Sequence, residues 1–492
     1  MDQGGYTTTK VTTRVDRMDE RFLLVVFDGL RPDLVRPDTT PNLLRLAAMG
    51  TRFARARSVF PSETRVCSAT VTTGCMPRRH GLVANRLAHP SDARVQGPGG
   101  RSVDTGQMTA LLALEEEMSE ALLDMPSLGT RLAASGRDFA VLSSGTTGQS
   151  HVLNTTAAAL GQVTLSAHGT QACSPKGAQL LATLEPPPAD PTGKAEWIAD
   201  VYRTRFMADP PAATILWLCE PDTSGHYQGL GSAANLTALR RVDAALGRIL
   251  DDWQAGPMRD HLHIMAASDH GHATITANIS AAPLFAAEPG FAGCRILTGV
   301  SGGVVVPGGE ATMITEVAAW LTRQDWVGHV LAADGADLPP GVLPRSAVLA
   351  DHRRSAEVLF TLRAGPGPSA LGLPGTTLND GALQAGAGTH GGLTAAEMSI
   401  VLMVAGGRVP RGELSEWPAG LADIAPTVLA LLGIGGSEVM DGRVLVEALE
   451  PGARPDAAPA PETWEPVNGA YGQRLARTRL GRHTYIDFGQ RL

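Results

Sequence analysis

Short continuous apolar runs punctuate this chain, and between several of them the apolar positions recur every three or four residues. Phe22–Phe27, Phe139–Leu142, Thr214–Cys219, Leu262–Ala266 and Ser399–Ala405 are runs of strand length with almost no polar interruption. A strand apolar on both faces belongs in the middle of a sheet covered on both sides. Thr237–Trp253 has the helical period instead: Leu239, Val242, Leu246, Ile249 and Leu250 share one face, while Arg240, Arg241, Asp243 and Arg248 fall elsewhere. Asp423–Leu432 reads as a second helix, with Asp423 as its N-cap, Pro426 in its first turn and Gly433 closing it. Strands alternating with helices predict an α/β fold: a doubly wound, largely parallel central sheet with helices on both faces.

The pattern divides the chain. Residues 20–280 and 385–450 carry the strand–helix alternation and read as one catalytic core. Residues 281–384 are broken by Pro339-Pro340 and by Gly365–Pro368, and read as an inserted cap over the site. Residues 451–492 read as a linker, Pro/Ala-rich over Pro451–Pro461, followed by a basic tail with scattered aromatics.

Composition narrows the class. The chain has 492 residues, 43% hydrophobic and 18% charged, with a formal net charge of −8. That is enough apolar material for a large core, and the wrong sign for non-specific binding to a nucleic-acid polymer or an anionic membrane. The five cysteines are odd in number, widely spaced and form no CxxC pair, which suits a reducing compartment. Met1–Glu20 is polar without an apolar segment, and no run approaches the roughly 18 residues of a membrane span. The expectation is a cytoplasmic protein acting on a small phosphorylated substrate, with self-association left open.

Ligands in such sheets gather at the carboxyl ends of strands. Asp28 directly follows the first strand, Asp222 follows Cys219 by three residues, and Asp269 and His270 follow the Leu262–Ala266 strand. Asp222 and His226 lie four apart, so one helical turn aims both at the same point. With His390 in Gly-Thr-His-Gly-Gly, three carboxylates and three imidazoles suit zinc or another borderline divalent metal, and six ligands divide into two sites. Thr64 precedes a helical segment, Arg65–Thr73, that ends at Gly74. Free N–H groups there favour an anion, and a cation on its oxygen would make this hydroxyl a nucleophile. His272, two residues past His270, reads as a non-ligand, and His80 as structural.

These motifs together resemble the alkaline phosphatase superfamily, and within it the nucleotide pyrophosphatase/phosphodiesterase branch. Phe-Asp-Gly at 27–29, Phe-Pro-Ser-Glu-Thr at 60–64, Glu-Pro-Asp at 220–222 with Gly-His at 225–226, Ser-Asp-His-Gly at 268–271 and Thr-His-Gly-Gly at 389–392 occur in family order. The resemblance implies an alkaline-phosphatase-like core and two zinc ions. One would be held by Asp222, His226 and His390, the other by Asp28, Asp269 and His270, with Thr64 reaching into the second. It implies that Asn85 and the Arg65 N–H donate to a phosphoryl oxygen, and that Trp217 forms one wall of the substrate pocket. The branch usually carries an aromatic residue directly after the nucleophile. Here it is Arg65, which could instead pair with an anionic group of the substrate.

The expected activity is zinc-dependent hydrolysis of phosphodiester or pyrophosphate bonds through a phospho-threonine intermediate. The alternatives are hydrolysis of a phosphonate carbon–phosphorus bond, a phosphomonoesterase, a phosphomutase, or a metal-binding protein without turnover. No basic residue lies in Ser143–Gln149, where zinc monoesterases of the superfamily place Lys and Arg, which counts against the monoesterase.

Overall fold

In strand Arg21–Phe27 (β1) the side chains of Phe22, Leu24 and Val26 pack into one hydrophobic cluster, and those of Leu23, Val25 and Phe27 into another on the opposite face. All six are at most 1% exposed. Each such burial contributes about 1.5–3 kcal/mol, so the strand is fixed at the centre of the fold. The computed structural model describes residues 19–89 and 100–492; the polar opening stretch up to residue 18 lies outside them.

The central sheet has eight strands. The others are Gly50–Arg57 (β2), Phe139–Ser143 (β3), Val163–Ser166 (β4), Ala213–Leu218 (β5), Leu262–Ala267 (β6), Leu402–Ala405 (β7) and Glu413–Gly420 (β8). Their order is β8-β2-β7-β6-β1-β5-β3-β4. Every pairing is parallel except the two made by β7. Helix Ala233–Ala255 packs on one face through Leu239, Val242, Leu246, Ile249 and Leu250. Helix Thr64–Thr73 packs on the other through Val66, Cys67 and Val71. The architecture is the doubly wound α/β arrangement that the apolar pattern predicts.

Two local expectations change. The last apolar run begins with a helical turn, Ala395–Met398, so β7 starts only at Leu402. Asp423 precedes helix Ile424–Leu431, but its side chain does not cap it. Its carboxylate accepts from the N–H groups of Gly420 and Arg443 and from the Tyr485 hydroxyl, so it ties three segments together.

Residues 281–384 contribute a five-stranded sheet that includes Ser301–Val305, Val358–Leu362 and Val327–Ala332, with helix Ala311–Thr322 against it. Its core is Val304, Val317, Trp320, Trp326 and Phe360. A smaller four-stranded sheet joins Pro374–Asn379 to Ala273–Asn278 and Gly388–Thr389, and so crosses both boundaries drawn from the sequence.

The stretch read as a linker runs into a strand, Pro459–Trp464, which pairs with Tyr471–Leu480; that strand pairs in turn with His483–Arg491. Leu475 and Leu480 are buried while Arg479 faces solvent. Gln473 donates to the carbonyls of Val330 and Gly341 in the inserted region, while Tyr485 reaches Asp423 in the core. Among the described residues no helix is long and apolar enough to cross a membrane.

Candidate active site

Strands β5, β1 and β6 lie side by side, and all three point the same way. Their carboxyl ends therefore release Asp222, Asp28 and Asp269 at one edge. The connections are short and specific: the Asp28 N–H donates to Leu218 O at 3.0 Å, Asp222 N–H to Asp28 O at 3.0 Å, and Gly29 N–H to Asp269 Oδ1 at 3.0 Å. Gly29 has φ +69°, and a Cβ there would lie 3.0 Å from the Cβ of Asp222. The tight exit from β1 thus needs a glycine.

The imidazoles arrive from three places. His226 lies in the helix Asp222–Gln228, His270 follows Asp269, and His390 follows Gly388–Thr389, which is held antiparallel to Ala273–Asn278. Each ring has Nδ1 against a backbone carbonyl: His226 on Gly388 at 2.7 Å, His390 on Ser62 at 2.8 Å and His270 on Gly271 at 3.0 Å. A carbonyl only accepts, so Nδ1 carries the proton and Nε2 presents a lone pair. His226 Nε2 lies 3.2 Å and His390 Nε2 3.6 Å from Asp222 Oδ1. His270 Nε2 lies 3.2 Å from Asp269 Oδ2 and 3.5 Å from Asp28 Oδ1. Asp222 also groups with Asp28 and His270, so its carboxylate stands between the two expected ligand sets.

Asp28 Oδ1, Asp222 Oδ1 and Asp269 Oδ2 are buried without a hydrogen-bond donor. Buried acceptors facing other acceptors are costly unless a cation lies among them. Without one, burial and then the neighbouring carboxylates Asp269 and Asp222 push Asp28 well above the usual carboxylate range. Burial lifts Asp269 to about 8. Asp222 goes the other way, because His226 and His272 outweigh its burial. Burial drops His270 to about 3 and holds His390 well below its ordinary value. The donor set, carboxylate oxygens with Nε2 lone pairs, fits divalent metal ions.

Thr64 is the first residue of its helix and is 6% exposed. Its Oγ1 lies 3.2 Å from His270 Nε2, which brings it to the Asp28–Asp269–His270 group. Glu63, just before it, does not cap the helix with its side chain. Its carboxylate accepts instead from the Asn85 N–H and, at 2.7 Å, from the Ser301 hydroxyl. The Arg65 N–H, expected to face a phosphoryl oxygen, donates to Asn85 Oδ1 at 3.2 Å, leaving the Asn85 Nδ2 hydrogens for other partners.

Trp217 is not a pocket wall. It is 0% exposed, shares the β5 face of Ile215, and its indole N–H donates to Asp28 Oδ2 at 2.9 Å. It orients a carboxylate from beneath. Trp217→Phe keeps the bulk and removes that donor. The expected result is a roughly 10–100-fold loss of metal affinity, the usual cost of losing such a support, measured by competition with a chelator.

Two residues escaped the sequence reading. His272, read there as a non-ligand, groups with Asp222, His226 and His390. Tyr227, directly after His226, is 78% exposed and lines a cavity of about 400 Å³ with Thr64, Arg65, Asn85 and Lys194. A second cavity of about 570 Å³, between the core and residues 297–303, shares Arg65, Asn85 and His390 with the first.

Residues 22–306 match the family model of type I phosphodiesterase / nucleotide pyrophosphatase. The chain belongs to that family. Among curated members of the type I phosphodiesterase / nucleotide pyrophosphatase family it is 23% identical over 277 residues to ectonucleotide pyrophosphatase/phosphodiesterase family member 7 of Rattus norvegicus, covering 56% of this chain and 55% of the relative. It is 24% identical over 276 residues to the bis(5'-adenosyl)-triphosphatase of Mus musculus, covering 54% and 49%. The chain thus spans about half the length of these relatives. Among solved structures, human ectonucleotide pyrophosphatase/phosphodiesterase 5 superposes with a TM-score of 0.61 at 16% identity, covering 88% of this chain and 99% of that one. An inactive murine form of the same protein, in complex with AMP, gives 0.58 at 16% identity over 85% and 96%. The likeness extends the family's fold beyond the matched segment to most of the chain.

Proposed function

We propose that this protein is a metal-dependent hydrolase of phosphodiester or phosphoanhydride bonds that works through a covalent Thr64 adduct. One observation carries the reading: a hydroxyl at a helix N-terminus faces two adjoining sets of buried acceptors, where two cavities meet at Arg65, Asn85 and His390. A diester or anhydride has a substituent on each side of phosphorus, and two cavities give each a place. The relatives' names, pyrophosphatase/phosphodiesterase and bis(5'-adenosyl)-triphosphatase, support the same bond class.

Bound divalent ions, zinc for this donor set, would neutralise the phosphoryl charge and lower the pKa of the threonine hydroxyl. The protein's own groups do the rest. Asp28, Asp269 and His270 would hold one ion, and Asp222, His226 and His390 the other. Thr64 Oγ1 attacks phosphorus and gives its proton to water, the opposite P–O bond breaks, and that substituent departs as phosphate or, taking a proton from water, as an alcohol. The adduct retains the other substituent until water displaces the threonine oxygen. The Asn85 amide, its Nδ2 hydrogens not taken by Arg65, would donate to a non-bridging oxygen. Tyr227 offers a ring to the substituent in the smaller cavity, the role expected of Trp217.

Cleavage of a phosphonate carbon–phosphorus bond is the second reading, because Arg65 stands beside the nucleophile. Its guanidinium already faces Glu63 and Asp104, which leaves less of its charge for a substrate carboxylate. One panel separates the two. The zinc-loaded protein should turn over bis(p-nitrophenyl) phosphate and a dinucleoside polyphosphate, and release no phosphate from phosphonoacetate. The reverse pattern would replace the first reading with the second.

A further inference from the structure

We propose that His272 is a fourth protein ligand, closing the coordination shell of the ion assigned to Asp222, His226 and His390. This rests on the metal reading above but not on any substrate. His272 Nδ1 lies 2.9 Å from Gly29 O, so it carries the proton and Nε2 keeps its lone pair. That Nε2 lies 2.9 Å from Asp222 Oδ1, the shortest approach any imidazole makes to that oxygen among the described residues. Both atoms are buried and neither has a hydrogen-bond donor. Two lone pairs this close repel each other unless a cation sits between them.

The ring's seat is built for it. A Cβ on Gly29 would lie 2.3 Å from His272 Cε1, and one on Gly388 would lie 3.0 Å from Cδ2. Glycine at both positions leaves the space that the imidazole fills. Its plane stands at 80° to His226 and 88° to His390, with centroids 5.2 Å and 5.4 Å away. His272 therefore meets both other rings edge to face rather than as a stack, and its Nε2 reaches the same carboxylate oxygen as theirs.

One carboxylate oxygen and three imidazoles fill four positions. Zinc with four protein ligands is characteristic of closed sites, whereas catalytic sites keep a position for water or substrate. His272 would occupy that position. The ion beside Thr64, with Asp28, Asp269 and His270, is then the more open of the two to a substrate oxygen.

Crystals of zinc-loaded wild-type protein test this without any variant. Anomalous density within about 2.1 Å of His272 Nε2, with no water on that ion, is the expected result. A separation beyond about 3 Å, or a water in the fourth position, overturns the proposal. In solution, His272→Ala should lower affinity at one of two zinc sites by at least ~10–100-fold in chelator competition. Its cobalt form should lose the intense visible bands of a four-coordinate ion. Unchanged affinity and spectrum count against the proposal, and if the variant does not fold, the wild-type crystal decides. Four-ligand zinc without diester turnover would refute the proposed activity and keep this inference; turnover with His272 unligated would do the opposite.

Discussion

Thr64→Ala should lose at least ~10³-fold in kcat on a phosphodiester substrate. The side chain is nearly sealed from solvent, and its hydroxyl is the group that meets His270 Nε2 at 3.2 Å. Deleting it removes the attacking atom and leaves the surrounding carboxylates and imidazoles in place. The variant should therefore keep its metal stoichiometry. The covalent step has its own readout: wild type quenched during turnover should gain the mass of a phosphoryl group bearing one substituent, mapped to the peptide containing Thr64. Thr64→Ser, which keeps the hydroxyl, should still form the adduct. Equal turnover by wild type and Thr64→Ala, or an adduct elsewhere, would eliminate threonine as the nucleophile.

Stripping the metal should make stability fall steeply as pH rises from about 6.5 to about 8. In this window the buried carboxyl of Asp269 controls the outcome, since burial holds it protonated up to about 8, and Asp28 is displaced in the same direction. The unfolded chain has already released these protons, so the folded state binds more of them and is penalised as they are withdrawn. Over the whole span from the ordinary carboxylate range up to about 8, a shift of this size corresponds to about 6 kcal/mol at most, of which the window from about 6.5 to about 8 carries about 2 kcal/mol. Below about 6.5 the sign reverses for two of the imidazoles. His270 and His390 are held neutral by burial while the unfolded chain takes up protons, so their contribution falls as the solution is acidified. Metal replaces the protons on the carboxylates, so the zinc-loaded protein should lose the alkaline slope. Melting temperatures of both forms at several pH values check this; parallel curves above pH 6.5 would mean the buried acids do not hold the cation.

Much of this site was legible because each of three apolar runs ends in, or shortly before, a carboxylate, and parallel strands deliver such ends to one edge. Asp28, Asp222 and Asp269 needed only that rule. His272 was not legible because its neighbours Asp222, His226 and His390 come from other parts of the chain, and its spacing from His270 does not say which group a ring joins. Its position rests on Gly271, which lies so tightly on Ala396 O that a Cβ there would come within 2.0 Å of it. That packing depends on a segment more than a hundred residues away, which no local pattern carries. Trp217 was recoverable: alternation along β5 puts it with Ala213 and Ile215 in the layer beneath the site, and the resemblance was followed instead. The terminal strands were hidden by composition. Arg474, Arg477 and Arg479 make the stretch read as a solvated basic tail, although Leu475 and Leu480 between and beyond them are buried.

Glu63 lies in the peptide linkage next to the nucleophile, yet one of its two carboxylate oxygens rests on Ser301, in the inserted region. An engineer who grafts a different insertion onto this scaffold to alter what it accepts would also be editing the support beneath Thr64. The transplant would need to bring a hydroxyl to the same spot, or the exchange would change turnover together with selectivity.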